Sequence, residues 1–259
     1  LGPTLAPPIG GAISDAFGWK AVFLFASGMS LIVVLLGSTV ITETHFDRRG
    51  GRSFRSLAGD YVRLARNPEF VGYALNPAFT SGAFFALATY ASFLMRDHYK
   101  GSSGEYGLYF VLLTLGFMAG NFISGRLGNR VQTEYMVMIG SITGLITVEL
   151  MAAGVMLLPL EPLALFLPGA FIGIAQGVSM PYAQAAAINA EPGLTGTASG
   201  TVMFLHFMAA AVASLFVSSL YDGTFFPLIE VVFVLTIGAL GSALFANAFK
   251  RRRLARSAG

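Results

Sequence analysis

The placement of charge constrains this chain more than any other feature of its sequence. Stretches without a single Asp, Glu, Lys or Arg run over 21–42, 70–95, 106–125, 162–190, 192–221 and 231–249. A helix needs about 20 apolar residues to cross the roughly 30 Å hydrocarbon core of a bilayer, and each run is long enough for one crossing. The stretch 135–157 would be a further one but for Glu149. Charged residues make up 11% of the chain and hydrophobic ones 55%, at a mean hydropathy of +0.70, a balance that soluble domains do not reach. A membrane β-barrel would instead alternate polar and apolar residues over segments of about ten, and no such alternation occurs. The expected fold is all-α, a polytopic transmembrane helical bundle. Its seven full spans lie at roughly 19–42, 69–95, 105–125, 135–157, 163–188, 195–220 and 226–249, with part of an eighth at 1–13.

Thirteen of the sixteen Lys and Arg fall in alternate loops. Arg48, Arg49, Arg52, Arg55, Arg63 and Arg66 share one, Arg126 and Arg130 another, and five more lie between Lys250 and Arg256. The positive-inside rule then sets the loop at 43–68, the loop near 130 and the C-terminus in the cytoplasm, with the loop near 191 placed by alternation alone. This topology accounts for the pI near 9.3 better than nucleic-acid binding does. Segment 43–68 is the longest polar stretch and reads as a cytoplasmic linker. It separates the last two helices of one bundle, 1–42, from a six-helix bundle at 69–249, which ends in a basic cytoplasmic tail at 250–259. Within the linker, Ser53–Arg66 has the pattern of an interfacial amphipathic helix. Asn67-Pro68-Glu69 predicts an N-cap, an N1 proline and an acid at the positive helix end, and Ser102-x-x-Glu105 predicts a capping box. There is no cysteine, which excludes disulfides and thiolate metal sites. The three His are scattered, so neither a metal nor another cofactor is expected.

The pattern Gly2, Pro3, Ala6, Pro7, Gly10, Gly11 describes a helix that approaches a neighbour closely and bends where backbone bonds are lost. It resembles the antiporter motif on the fifth helix of major facilitator superfamily drug exporters. Gly18-Trp19-Lys20-x-x-Phe23 is similar to the opening of the sixth helix in that superfamily, and Thr42-Glu43-Thr44 to its end. Phe70–Leu75, followed by Tyr90-Ala91-Ser92-Phe93, resembles the seventh helix of the bicyclomycin-resistance (Bcr/CflA) drug:proton antiporters. Gly125, Arg126, Gly128 and Arg130 resemble the cytoplasmic loop motif between helices eight and nine, and Gly196-Thr197-Ala198-Ser199 the opening of helix eleven.

The resemblance implies helices five to twelve of a twelve-helix fold, in a multi-pass protein of the bacterial cytoplasmic (inner) membrane. It implies export of small drugs or metabolites in exchange for protons by alternating access, in a protein that is monomeric when complete. A fifth-helix motif at residue 1 carries the expectation that four helices precede Leu1, and that residues 1–259 alone transport nothing. One proton moving down about 100 mV and about one pH unit releases roughly 3.7 kcal/mol, enough in principle for a gradient of several hundred-fold.

Particular residues carry two readings each. Tyr73, Asn76, Thr80, Phe84 and Leu87 recur at three- or four-residue steps around Asn76-Pro77, forming one helix face that either packs or lines a cavity. Gln176, Met180 and Gln184 flank Pro181 and serve either hydrogen bonding between helices or substrate contact. Glu149 is an acid inside a span, which costs about 3 kcal/mol there and makes it a proton-coupling candidate. Glu230 reads as an interfacial acid. Asn121 and His206 are weaker candidates, His206 for proton traffic. Gly116-x-x-x-Gly120, Gly140-x-x-x-Gly144, Gly169-x-x-x-Gly173-x-x-x-Gly177 and Gly196-x-x-x-Gly200 predict close helix contacts.

Two other classes compete. A family member carrying another small solute, such as a metabolite or sugar, shares every feature above. A membrane-embedded hydrolase would need a Ser and a His together. Ser199 and His206 share a helix face but lie about 10 Å apart along it, so no enzyme activity is expected.

Overall fold

The computed structural model describes residues 2–40, 54–128, 130–157 and 161–257. Among these residues the chain is helical with no strand, in the order α1 (Gly2–Phe17), α2 (Trp19–Val40), α3 (Phe54–Arg66), α4 (Pro68–Asp97), α5 (Ser103–Leu127), α6 (Thr133–Leu157), α7 (Leu163–Asn189), α8 (Thr195–Ser219) and α9 (Phe226–Ser257). Seven of them, α2 and α4 to α9, are long and apolar enough to cross a membrane.

The helix ends follow their local chemistry. Asn67 Oδ1 accepts from the backbone N–H of Glu69 (3.1 Å) and Phe70 (3.2 Å), capping α4. At α5 the Ser102 hydroxyl accepts from Glu105 N (3.1 Å) while Glu105 Oε2 accepts from Ser102 N (2.8 Å), the full reciprocal box. Two helices outrun expectation. α1 continues to Phe17, where Gly18 takes φ +79° and its N–H returns to Ser14 O at 2.9 Å, a left-handed ending open to glycine. α9 runs on through Lys250–Arg253, because Lys and Arg are good helix formers and their charge suits the negative helix end. The expected Thr42-Glu43-Thr44 ending, Asn129 and residues 43–53 of the 43–68 linker lie outside the described residues.

α4 forms the centre. Of its most apolar stretch 72% is buried, against 28% in α8 and none in α2. It packs against α7, α8 and α9, while α5 and α6 clamp α7 from two sides. α1 lies along α5, and α2 packs chiefly on α1 with Phe23, Leu24, Leu31 and Val33 exposed, a surface suited to hydrocarbon. α3 rests on α4 and α8 through Leu64, with Tyr61 and Val62 exposed.

Three of the four predicted small-residue stripes make close contacts. A Cβ on Gly116 would strike Ala170 O and one on Gly120 would strike Ile174 O. One on Gly173 would strike Leu113 O, one on Gly177 Phe117 O, and one on Gly140 would lie 2.6 Å from Ala175 O. The fourth expectation fails: a Cβ on Gly196 or Gly200 would meet nothing within 4 Å, because that face of α8 meets no helix among the described residues.

At the end of the bundle where α4 begins, ion pairs join its elements. Arg253 Nε meets Glu69 Oε2 at 3.2 Å, Lys250 Nζ meets Glu134 Oε1 at 2.6 Å, and Arg63 pairs with Glu191. Asn67 Nδ2 also donates to Ala190 O and Glu191 Oε2, both at 3.0 Å.

The α5–α7 contact is checked by thermal unfolding in detergent. Gly116→Val forces a side chain into backbone that cannot yield and is expected to cost about 1–3 kcal/mol. Gly200→Ala, on the open face, is expected to leave the midpoint unchanged or slightly raised.

Candidate functional site

A cavity of about 350 Å³ lies where α1, α4, α5, α7 and α8 converge. Its walls are largely aromatic: Phe84 and Phe85 come from α4, Phe110 and Phe117 from α5. The Phe84 ring meets Phe85 edge-on at 5.6 Å and Phe110 at 6.0 Å, geometries that ring quadrupoles favour. Met180 of α7 adds a polarizable thioether, and Ala6 and Pro7 of α1 close one side.

Three polar residues share this wall, and none of the lining residues is charged: Thr114, Gln176 and His206. The Thr114 hydroxyl donates back to Val111 O at 3.0 Å. His206 is 5% exposed, with Nε2 3.3 Å from Ser81 Oγ across the α4–α8 contact, while Nδ1 has no hydrogen-bond partner. Gln176 is 4% exposed, and its amide makes no hydrogen bond among the described residues. Its amide has both donor and acceptor capacity to offer a ligand polar group placed in the cavity.

The sequence expectations divide at this cavity. Phe84, Gln176 and Met180 line it, as do Ala6 and Pro7 of the N-terminal motif. Tyr73, Asn76 and Thr80 do not. The Tyr73 hydroxyl donates to Asn247 Oδ1 of α9 at 3.0 Å, and Asn76 Nδ2 donates to Ser141 Oγ (3.0 Å) and Ala239 O (2.9 Å). Thr80 folds back on the carbonyls of Asn76 and Pro77. One stripe of α4 thus has two sets of neighbours, because the surrounding helices cross it: α6 and α9 in the first half, α5 and α7 in the second. Leu87, further along the stripe, packs against Gly169 of α7.

Gln184 also lies off the cavity, its amide 3.7 Å from Met203 Sδ. Asn121 bonds within its own helix, to Phe117 O at 2.8 Å. Glu149 sits on the exposed face of α6, outside the cavity. The serine paired with His206 is Ser81, not Ser199, and no carboxylate orients the free ring nitrogen, so the nucleophile–base–orienter arrangement is not formed. Sequence reasoning missed Phe85, Phe110, Thr114 and Phe117. The last three recur at i, i+4 and i+7 on one face of α5.

The N-terminal motif does more than close a wall. A Cβ on Gly107 would lie 2.6 Å from Pro7 O, and one on Gly11 would be 2.9 Å from Gly104 Cα. Asp15 Oδ2 accepts from Gly104 N at 2.7 Å, so a carboxylate of α1 caps a free N–H of α5. Gly10 instead faces Val22 of α2, and the surroundings of Gly2 and Pro3 are not described. In the loop motif, Arg126 stacks over Phe122 at 4.7 Å and Gly128 ends α5, with Arg130 N returning to Leu127 O at 2.8 Å and Gly125 in open space.

A larger recess of about 640 Å³ lies between α8 and α9 on the back of α4. Apart from Glu230 its lining is apolar, so it offers burial without converging groups to orient a ligand.

The family model for the Major Facilitator Superfamily matches residues 1–214. A bicyclomycin resistance protein homolog of Haemophilus influenzae is 27% identical over 231 residues, covering 88% of this chain and 58% of the relative. The MFS-type transporter YdgK of Bacillus subtilis is 26% identical over 256 residues, 97% of this chain and 62% of its own length. The multidrug transporter MdfA of Edwardsiella piscicida is 27% identical over 141 residues, 54% of this chain and 34% of its own. The chain thus spans about three-fifths of the length of these two curated relatives. With seven helices able to cross a membrane, it is an integral multi-pass membrane protein.

The α1–α5 cap is checked by hydrogen exchange. Asp15→Ala is expected to speed exchange at the Gly104 amide and cost about 1 kcal/mol, the usual size of a lost N-cap. Asp15→Asn, which keeps an acceptor oxygen, is expected to stay near wild type.

Proposed function

The chain belongs to the Major Facilitator Superfamily, and from that premise we propose that it serves in proton-coupled export of small amphipathic drugs or metabolites. One observation carries the reading: an uncharged, largely aromatic cavity with the Gln176 side chain among its three polar lining residues. Such a site takes a molecule with an apolar body and a polar handle. The rings and Met180 bury the body, and Gln176 pairs with the handle. The names of the relatives, a resistance protein and a multidrug transporter, support the same direction.

In this reading α1 and α2 belong to one bundle and α4 to α9 to the other, joined by the 43–68 linker, and the α1–α5 contact opens and closes as the bundles rock. The loops and tail that hold thirteen of the sixteen Lys and Arg in the sequence face the cytoplasm, which puts the C-terminus on the cytoplasmic side of a bacterial inner membrane. The exposed position of Glu149 keeps it apart from the cavity, so a coupling role would need a proton route along the outside of α6. A sugar is a weaker fit, because three polar residues cannot satisfy a ring of hydroxyls.

Efflux from cells expressing the protein as its gene encodes it tests the reading. Gln176→Ala and Phe110→Ala are each expected to lower proton-driven drug efflux about tenfold at equal protein level, the scale of one lost buried hydrogen bond or aromatic contact. Efflux unchanged in both variants would remove the cavity as the substrate site. Glu149→Gln is expected to keep efflux within about twofold and its pH dependence unchanged; a flattened pH profile would restore Glu149 as the coupling acid.

A further inference from the structure

The basic end of α9 leaves the bundle as a continuous helix carrying four cations in succession, Lys250 to Arg253. Two of them are engaged by the bundle itself. Lys250 neutralises Glu134, and Arg253 holds Glu69 through Nε at 3.2 Å and Nη2 at 3.3 Å. Arg251 and Arg252 form no ion pair among the described residues.

Their surroundings differ. Arg252 borders a recess of about 270 Å³ that also contains Phe249, Asn67, Pro68 and the Glu69–Arg253 pair, whereas Arg251 is not among the residues lining it. The Arg252 guanidinium stands 5.5 Å from the Phe249 ring centroid. Phe249 in turn packs on Phe245 at 4.8 Å, and Phe245 and Leu244 are both exposed one turn deeper in the span. A strip of hydrocarbon therefore leads along α9 directly to a cation beside an open recess. Glu69, the only acid in that recess, is already matched by Arg253, which leaves one positive charge over.

We propose that this recess binds the headgroup of an anionic phospholipid. The phosphate lies against the Arg252 guanidinium, which presents paired N–H donors to it, and an acyl chain runs along Phe249, Phe245 and Leu244. Charge complementarity selects the occupant: a headgroup with net negative charge gains from Arg252, and a zwitterionic one gains less. The site depends on α9 crossing a bilayer and is independent of what the central cavity carries.

Lipid retention by the purified protein, read by native mass spectrometry from micelles doped with phosphatidylglycerol or phosphatidylethanolamine, tests it. Wild-type protein is expected to retain phosphatidylglycerol preferentially. Arg252→Ala is expected to lower that retention about fivefold and Arg251→Ala to change it little. Both side chains are exposed, and an unchanged thermal midpoint checks that each variant is folded. Equal losses in the two variants would mean diffuse charge attraction and overturn the site, as would no loss in Arg252→Ala or equal retention of both lipids. Displacement by millimolar inorganic phosphate alone would also overturn it, since the recess would then hold a free ion rather than a lipid.

Discussion

The approach of α5 to α7, glycine against backbone, is the contact on which the rest of the bundle depends, because lipid supplies no hydrophobic drive for one apolar helix to leave it for another. Association comes instead from van der Waals contact, and that requires backbones to touch. Gly116 and Gly120 meet the α7 backbone while Gly173 and Gly177 meet the α5 backbone, and Gly140 of α6 approaches Ala175 from the other side. α7 is thereby gripped on two faces. Gln176 lies inside the gripped stretch and Met180 just beyond it, so the contact that holds the bundle together also fixes where its free amide points.

The buried polar groups sort by what they have left to offer. Asn76 Nδ2, Tyr73, Ser141 and Asn247 are hydrogen-bonded to one another or to backbone and tie α4 to α6 and α9, while Asn76 Oδ1 is left without a partner. They hold the side of the bundle that faces away from α1. The opposite side sets Gln176 and His206 among aromatic rings, with Thr114 bonded to its own helix and His206 Nδ1 left without a partner. In surroundings of low polarity an unpaired group is expensive and a paired one strong, which gives this cavity its ability to discriminate.

Much of the architecture was legible in the sequence because a bilayer simplifies the problem. A charge every twenty to thirty residues marks helix ends, and Asn67 and Ser102 cap where their chemistry predicts. The small-residue stripes announced the α5–α7 and α6–α7 contacts, although the same spacing at Gly196 and Gly200 met nothing. The cavity was half legible. Proline, glutamine and methionine are distinctive inside a span, so Pro7, Gln176 and Met180 stood out. Phe110 and Phe117 did not, being two of 23 phenylalanines. Tyr73 and Asn76 fell elsewhere because α4 is buried over most of its surface: periodicity gives a face, but not which neighbour crosses it.

The central claim is that substrate occupies the cavity formed by α1, α4, α5, α7 and α8. Residues 1–259 contain no cysteine, so in the gene product, with any cysteine elsewhere replaced, a single cysteine at Thr114 is labelled by a small thiol reagent with and without transported drug. A matching cysteine at Val234, in the recess between α8 and α9, serves as the comparison. Occupancy of the cavity predicts that drug slows labelling at 114 and leaves 234 unaffected. Equal labelling rates at 114 with and without drug, or protection at 234 instead, would contradict it.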